Sequence, residues 1–448
     1  MTKTALINCI IITVNAQNEV IRKGTLLLDN NTITEIGDTS AISIPEGTHI
    51  IDGKDRIAVL PGLIDTHTHS SLLKGYSENL PFLEWLPVYQ QEHKVLTEED
   101  AYYAYLISYL EALKGGTTCV LDMYRFMHMG AKAAGLLGLR CNLAPYTADN
   151  LKNTFFETLD ANEDLIKKHH ESHQGLIRIC IGLEHLFYCT EKAYERAKAL
   201  SHDYDVFIHT HSSEFEEEVA AVVRSFGKRP IHVLHERGIL GPQTIIAHCV
   251  WLNDDEIQLF REYDVRVAHC PTSNVKLGGG TLNLNNFLDN NIKVGLGTDG
   301  SISNNSLSMW ELMKFGSLLQ KNLHKDATAL NATEVLRLAT IEGAKVLGLD
   351  QNIGSLEVGK KADFITVDLW QPHLLPILPT PDHDPVLWNL VYAGRASDVK
   401  DVWVNGRHVI HKGKSTMIDE DDLLEKTQHQ VASLLQRRAH VQPTTFIA

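Results

Sequence analysis

Apolar and polar residues alternate along this chain in two rhythms. Over the first fifty or so residues the apolar runs are short and strand-like, at Ala5 to Val14, Thr25 to Leu28 and Ile33 to Ile36, with polar turns between them. From Arg56 onward, short β-branched runs alternate with longer stretches whose apolar positions recur at helical spacing. Examples are Glu99 to Lys114, Glu191 to Ser201, Glu214 to Ser225, Asp254 to Glu262 and Ser308 to Gln320. Eight candidate strands fall in this region: Ile57 to His67, Thr117 to Asp122, Arg140 to Ala144, Arg178 to Leu183, Val206 to His211, Thr244 to His248, Arg266 to His269 and Lys293 to Thr298. Eight βα units predict an α/β fold, a (β/α)8 barrel of TIM type. After a helical stretch, Ala332 to Leu347, strand character returns at Gly354 to Gly359, Ala362 to Asp368 and Val399 to Val404, and a polar helix from about Asp419 to Arg438 closes the chain. Neither terminal β segment can bury a face alone, so the two are expected to join as one small β-sandwich. The expected division is therefore 1–58 and 354–448 for the sandwich with its terminal helix, and 59–353 for the barrel.

In a barrel of this kind the chemistry sits at the carboxyl ends of the strands. His67, His69, His211, His248 and Asp299 fall at or just after predicted strand ends, and Glu214 follows His211 by three residues. Residues two apart on a strand share a face, with Cα atoms about 6–7 Å apart, so His67 and His69 can converge on one ion. His209 and His211 have the same parity, and spacing alone does not choose between them; the carboxyl of Glu214 favours His211. Each residue has an ordinary structural reading on its own: a core histidine, a helix-dipole partner for Glu214, or a turn residue for Asp299 between Gly297 and Gly300. Their coincidence at strand ends points instead to a divalent ion, zinc or else iron, that activates a water for hydrolysis.

Composition narrows the partners. The chain has 448 residues, 44% of them hydrophobic, and a formal net charge of -15, which argues against a nucleic-acid partner. No window approaches the roughly 18 apolar residues of a membrane span, so no membrane partner and a cytoplasmic location are expected. The seven cysteines form no C-x-x-C pair and read as reduced core residues rather than thiolate ligands.

The segments Pro61-Gly62-Leu63-Ile64-Asp65-Thr66-His67-Thr68-His69, His209 to Glu214, Ala247-His248-Cys249, Ala268 to Asn274 and Gly297-Thr298-Asp299-Gly300 together resemble the amidohydrolase superfamily. More narrowly they are similar to the branch containing 5-methylthioadenosine/S-adenosylhomocysteine deaminases and s-triazine hydrolases. The resemblance spans nearly the whole chain. It implies one metal ion held by His67, His69, His211 and Asp299, with Glu214, His248 and Asp299 as the catalytic acid/base groups. Two-metal relatives carry a carboxylated lysine on strand four. Arg178 to His185 contains no lysine, so a single ion is expected, with Glu184 a conceivable bridging substitute.

The activity implied is hydrolytic deamination of an amino-substituted N-heterocycle, an adenine nucleoside first. A free or oxidised purine or pyrimidine base, or a chloro- or amino-triazine, is the alternative. By the same resemblance, Glu84 would accept hydrogen bonds from ribose hydroxyls, Trp85 would wall the pocket, and His185 and Glu214 would touch the heterocycle. The sequence departs from the pattern around His185, where Glu184, Leu186, Phe187 and Tyr188 stand in place of the usual small residue and proline, and in His269-Cys270-Pro271. Both departures favour the smaller substrates. Arg125 and Lys276 are further candidates for a substrate oxygen, and pairing into a homo-oligomer through Phe82 to Tyr89 or Tyr102 to Tyr109 is compatible with the pattern.

Overall fold

The structure is a computed structural model that describes residues 3–149 and 155–442. Its central strands are β1 (Leu63–His69), β2 (Thr117–Tyr124), β3 (Arg140–Pro145), β4 (Ile177–Ile179 and Ile181–Gly182), β5 (Ile208–Ser212), β6 (Thr244–His248), β7 (Arg266–His269) and β8 (Val294–Leu296 and Asp299–Gly300). They form two parallel five-stranded sheets. One runs from the outer piece of β8 through β1, β2 and β3 to the first piece of β4; the other runs from the second piece of β4 through β5, β6 and β7 to the inner piece of β8. β4 and β8 are thus each divided between the sheets, and hydrogen bonds cross the divisions: Cys180 N to Leu143 O at 2.9 Å, Ile181 N to Phe207 O at 2.7 Å, and Gly297 N to His269 O at 2.8 Å. The architecture is a TIM-barrel-like α/β fold. Nearly every residue of these strands is buried, as expected where helices cover a parallel sheet.

The predicted strand Ile57 to His67 is in fact two. Ile57–Pro61 pairs antiparallel with Phe364–Asp368 in a separate sheet, and the chain crosses at Gly62 into β1. Only glycine fits at the crossing, since a Cβ there would lie 2.0 Å from Thr118 Oγ1. Both terminal segments enter that separate sheet. It has nine strands, ordered Lys414–Ser415, Arg407–His411, Val399–Val404, Phe364–Asp368, Ile57–Pro61, Lys3–Ile12, Val20–Asp29, Thr32–Asp38, with His49–Asp52 also on Lys3–Ile12. Gly354 to Gly359, predicted as a strand, consists of turns, tied down by Leu356 N to Thr13 O and Gly359 N to Ile33 O. The sheet has its own core around Leu6, Ile11, Leu26, Val59, Phe364 and Trp403.

Two helices bear on the site, α1 (Phe82–Val95) and α2 (Glu98–Lys114). Thr97 and Asp100 close a capping box at the start of α2, and Asp100 also receives Gln430 Nε2 at 2.7 Å and the Arg437 guanidinium from the closing helix Glu420–Arg438. The closing helix is thereby docked on α2. Tyr105 and Tyr109 point into this core, not outward. All seven cysteines are buried and free. Among the described residues, no helix is long and apolar enough to cross a membrane.

Candidate active site

The carboxyl ends of β1, β5, β6 and β8 meet in one buried cluster. His69 Nε2 lies 3.2 Å from His211 Nε2, while Asp299 Oδ1 lies 3.4 Å from His67 Nε2 and 3.3 Å from His69 Nε2. Two donors each about 2.0–2.1 Å from a tetrahedral ion stand about 3.3 Å apart, so these spacings are those of a shared cation. His67 Nε2 is buried without a hydrogen-bond partner, as a ligand atom would be. His67, His248 and Asp299 make a second triple whose ligand atoms lie within 4.8 Å of one another, sharing His67 with the first.

Neighbouring groups set the histidine tautomers. His209 Nδ1 donates to Ile245 O at 3.2 Å, its Nε2 accepts from His67 Nδ1 at 2.8 Å, and the remaining lone pair of His67 faces inward. His209 is thus a support, and His211 is the member of that pair that reaches the cluster. His69 Nδ1 donates to Met123 O at 2.5 Å and also faces Tyr146 Oη at 2.9 Å, which leaves its Nε2 free for an ion. Asp65 holds the backbone of His67 and of Thr298 through its Oδ1, at 3.2 and 3.0 Å. Ser273 Oγ donates to Asp299 Oδ2 at 2.5 Å.

The backbone bends sharply at these strand ends. Ser213, His248, Cys249 and Asp299 all have positive φ, at 55°, 74°, 56° and 62°, in a region that non-glycine residues pay to enter. Each turns its strand end sharply, and the surrounding buried hydrogen bonds hold it there.

Glu214 stands just before the helix Glu216–Phe226 rather than within its first turn. The buried Glu218 carboxylate accepts from Ser213 N at 3.0 Å and Glu214 N at 2.7 Å, fixing the turn that aims Glu214 inward. Glu214 Oε2 lies 3.5 Å from His248 Nε2, and the Asn274 amide nitrogen faces His248 Nδ1 at 3.1 Å. Burial pushes the Glu214 carboxyl well above the usual range, and the negative charges of Asp299, Glu218 and Glu184 add to the effect. Burial acts the same way on Asp299, but the His67 and His69 imidazoles beside it and the pull of His248 outweigh it and hold that carboxyl well below its usual range. Two carboxyl groups in one cavity are therefore driven to opposite protonation states.

A family model described as the amidohydrolase family matches residues 58–409. The chain belongs to the amidohydrolase family. Among curated members, a 5'-deoxyadenosine deaminase of Methanothermobacter thermautotrophicus is 37% identical over 92% of this chain and 95% of its own length. A 5-methylthioadenosine/S-adenosylhomocysteine deaminase of Bacillus cereus is 36% identical over 94% and 97%. A zinc-bound adenosine deaminase from Xanthomonas campestris superposes with a TM-score of 0.90 at 27% identity, covering 97% of this chain and 99% of its own.

The amidohydrolase site opens into a cavity of about 40 Å³ whose lining includes His69, His211, Glu214, His248 and Asp299, together with Trp85, Glu184 and His185. Trp85, Leu86 and Tyr89 of α1 roof it, packed with Phe215 and Ile302. Of the substrate-contact candidates, Trp85 and His185 are in the lining. Glu84 is exposed in the first turn of α1 and is not among the lining residues. Arg125 is engaged with His93 O at 2.5 Å and lines a different cavity, and Lys276 is bound to Glu78 and Asn305 on the surface. Sequence reading missed Tyr89, Tyr146, Ser273 and Glu218. Ser273 stood in the quoted Ala268 to Asn274 segment, whereas a lone tyrosine on a helix or after a strand carries no signal.

Proposed function

We propose that this amidohydrolase, a hydrolase acting on C–N bonds, is a metal-dependent deaminase of an amino-substituted N-heterocycle, with an adenine nucleoside of the 5'-deoxyadenosine or 5-methylthioadenosine type as substrate. His67, His69, His211 and Asp299 would hold one divalent ion, zinc. The observation that carries the reading is that His69, His211 and Asp299 of this donor set line one cavity with the buried carboxyl of Glu214, whose Oε2 lies 3.5 Å from His248 Nε2. Three imidazole nitrogens and one carboxylate oxygen suit zinc, and a carboxylic acid beside them suits a reaction that must protonate a ring nitrogen.

When bound, the ion supplies positive charge and lowers the pKa of a water at the cluster. The chain's residues do the rest. Asp299, held ionised, accepts a proton from the water as its oxygen adds to the ring carbon bearing the amino group. Glu214, held protonated, gives its proton to the adjacent ring nitrogen, and His248 orients the attacking oxygen through Nε2. The proton on Asp299 passes to the departing amine, the C–N bond breaks, and ammonia leaves as the ring nitrogen or oxygen returns a proton to Glu214. The net change is addition of water and loss of ammonia.

We also propose that the two five-stranded sheets are halves of one closed eight-stranded barrel, and that the nine-stranded sheet, formed from residues before the crossing at Gly62 and after about residue 354, curls into the small sandwich beside it. The division of β4 and β8 between the sheets supports the first, and the common core of both terminal segments supports the second. The test of the activity is ammonia release by zinc-loaded protein from 5'-deoxyadenosine, 5-methylthioadenosine, S-adenosylhomocysteine, adenosine, adenine, guanine, 8-oxoguanine and melamine. Turnover confined to nucleosides is expected. Turnover confined to bases or triazines would overturn the nucleoside assignment and leave the chemistry standing.

A further inference from the structure

Glu184 has no part in the chemistry above, yet it sits at the mouth of the site with a carboxylate that is only half used. Its main chain is pinned: Glu184 N donates to Thr147 O at 3.0 Å, and Glu184 O accepts from Thr210 Oγ1 at 3.4 Å. The side chain is 5% exposed at the residue level, and Oε1 accepts from His185 Nδ1 at 3.1 Å. Oε2 is buried without a hydrogen-bond partner, and so is His211 Nδ1, which faces it at 3.7 Å. The rings of His185 and His211 stack, with centroids 4.9 Å apart and planes at 8°. His185 Nε2, on the far side of its ring from Glu184, is a third buried atom without a partner, and His185 lines the cavity.

Two facing orphans, one a carboxylate oxygen and one an imidazole nitrogen, are costly when buried, and a shift of well under 1 Å would join them. A histidine that binds metal through Nε2 presents Nδ1–H, and a carboxylate is the acceptor such ligands commonly use to fix the ring and raise its basicity.

We propose that Glu184 is a positioning residue that ties the two histidines together: Oε2 closes on His211 Nδ1 when a divalent ion sits on His211 Nε2, while Oε1 keeps His185 stacked on that ring with Nε2 presented to the substrate. This deepens the metal-deaminase reading and rests on it. Metal affinity and substrate affinity are then coupled through one side chain.

Glu184→Ala and Glu184→Gln test it. Zinc affinity is read by competition with a chromophoric chelator, and site geometry by the visible spectrum of the cobalt(II)-substituted protein. KM and kcat are read from ammonia release. Glu184→Ala is expected to weaken zinc by about 10–100-fold, change the cobalt spectrum and raise KM more than it lowers kcat. Glu184→Gln, which keeps one acceptor oxygen, is expected to fall between Ala and the parent. Comparable melting of the metal-free parent and variants separates these effects from misfolding; if the alanine variant does not fold, the glutamine variant carries the test. A Glu184→Ala protein that holds zinc within about twofold of the parent, with an unchanged cobalt spectrum, overturns the proposal alone. A parent that binds no zinc overturns it together with the reading it rests on.

Discussion

Ser273 shows how much of this site lies outside its candidate ligands. Its hydroxyl takes up Asp299 Oδ2 and leaves Oδ1 toward His67 and His69. Ser273→Ala would strand one oxygen of a buried carboxylate, a cost of about 1–3 kcal/mol. The expected result is a tenfold or greater loss of kcat/KM for ammonia release with the melting temperature lowered by a few degrees at most; an unaffected kcat/KM would show that Asp299 is held by other means. The His-x-His of β1 and the Asp299 turn were legible because strand parity and flanking glycines are local patterns. The choice of His211 over His209 rested on Glu214, and the structure supplies the missing reason, since His209 is consumed by His67 and Ile245. Glu92 supports a prediction away from the cluster. It is buried, accepts from Tyr124 Oη at 2.6 Å and Ser71 Oγ at 3.2 Å, and burial pushes its carboxyl up to about 7 from 4.5. A carboxyl raised in the folded state contributes stability that is complete below about pH 4.5 and lost as pH climbs through about 7, at most about 3 kcal/mol. The melting temperature of Glu92→Gln relative to the parent is therefore expected to rise between about pH 5 and pH 8, and a flat difference would contradict it.

Helix α1 is the element that decides access. A cavity of about 40 Å³ admits a few waters at most and no bicyclic base, so Trp85, Leu86 and Tyr89 must withdraw for a nucleoside to enter. Pro87 lies inside α1 and cannot donate a backbone hydrogen bond there, which weakens its first turns. Amide hydrogen exchange over residues 84–91 is expected to be fast in the resting protein and to slow on binding a non-hydrolysable nucleoside; exchange as slow as in α2 without ligand would exclude this motion. Most elements were legible from periodicity, including the helix at Asp254–Glu262 and the closing helix. The break of Ile57 to His67 was not, because an apolar run does not say which sheet receives each half. Gly354 to Gly359 failed for a related reason, Leu356 packing into the core of the terminal sheet without the segment pairing in it, while Val358 is exposed.

For the whole molecule, an ion held as proposed by His67, His69, His211 and Asp299 would join the ends of β1, β5 and β8, strands from both sheets. Binding to the folded chain alone adds about 2.7 kcal/mol when free zinc stands at a hundred times its dissociation constant. Dialysis against a chelator should lower the melting temperature by a few degrees, and zinc should restore it; an unchanged melting curve in protein shown to have lost its metal would contradict the linkage. The union of the terminal segments was legible only by exclusion, since neither could bury a face alone. Their nine-strand order depends on contacts between residues hundreds of positions apart, as in Phe364 with Pro61, which no local pattern encodes. The central claim is that a metal-activated water and the Glu214 acid act together on one amino-substituted ring. It is tested most directly by ammonia release from 5'-deoxyadenosine by zinc-loaded parent and zinc-loaded Glu214→Gln, assayed side by side. The account predicts ammonia from the parent and a rate about 10²–10⁴-fold lower in the variant at equal zinc content, and equal rates in the two proteins would contradict it.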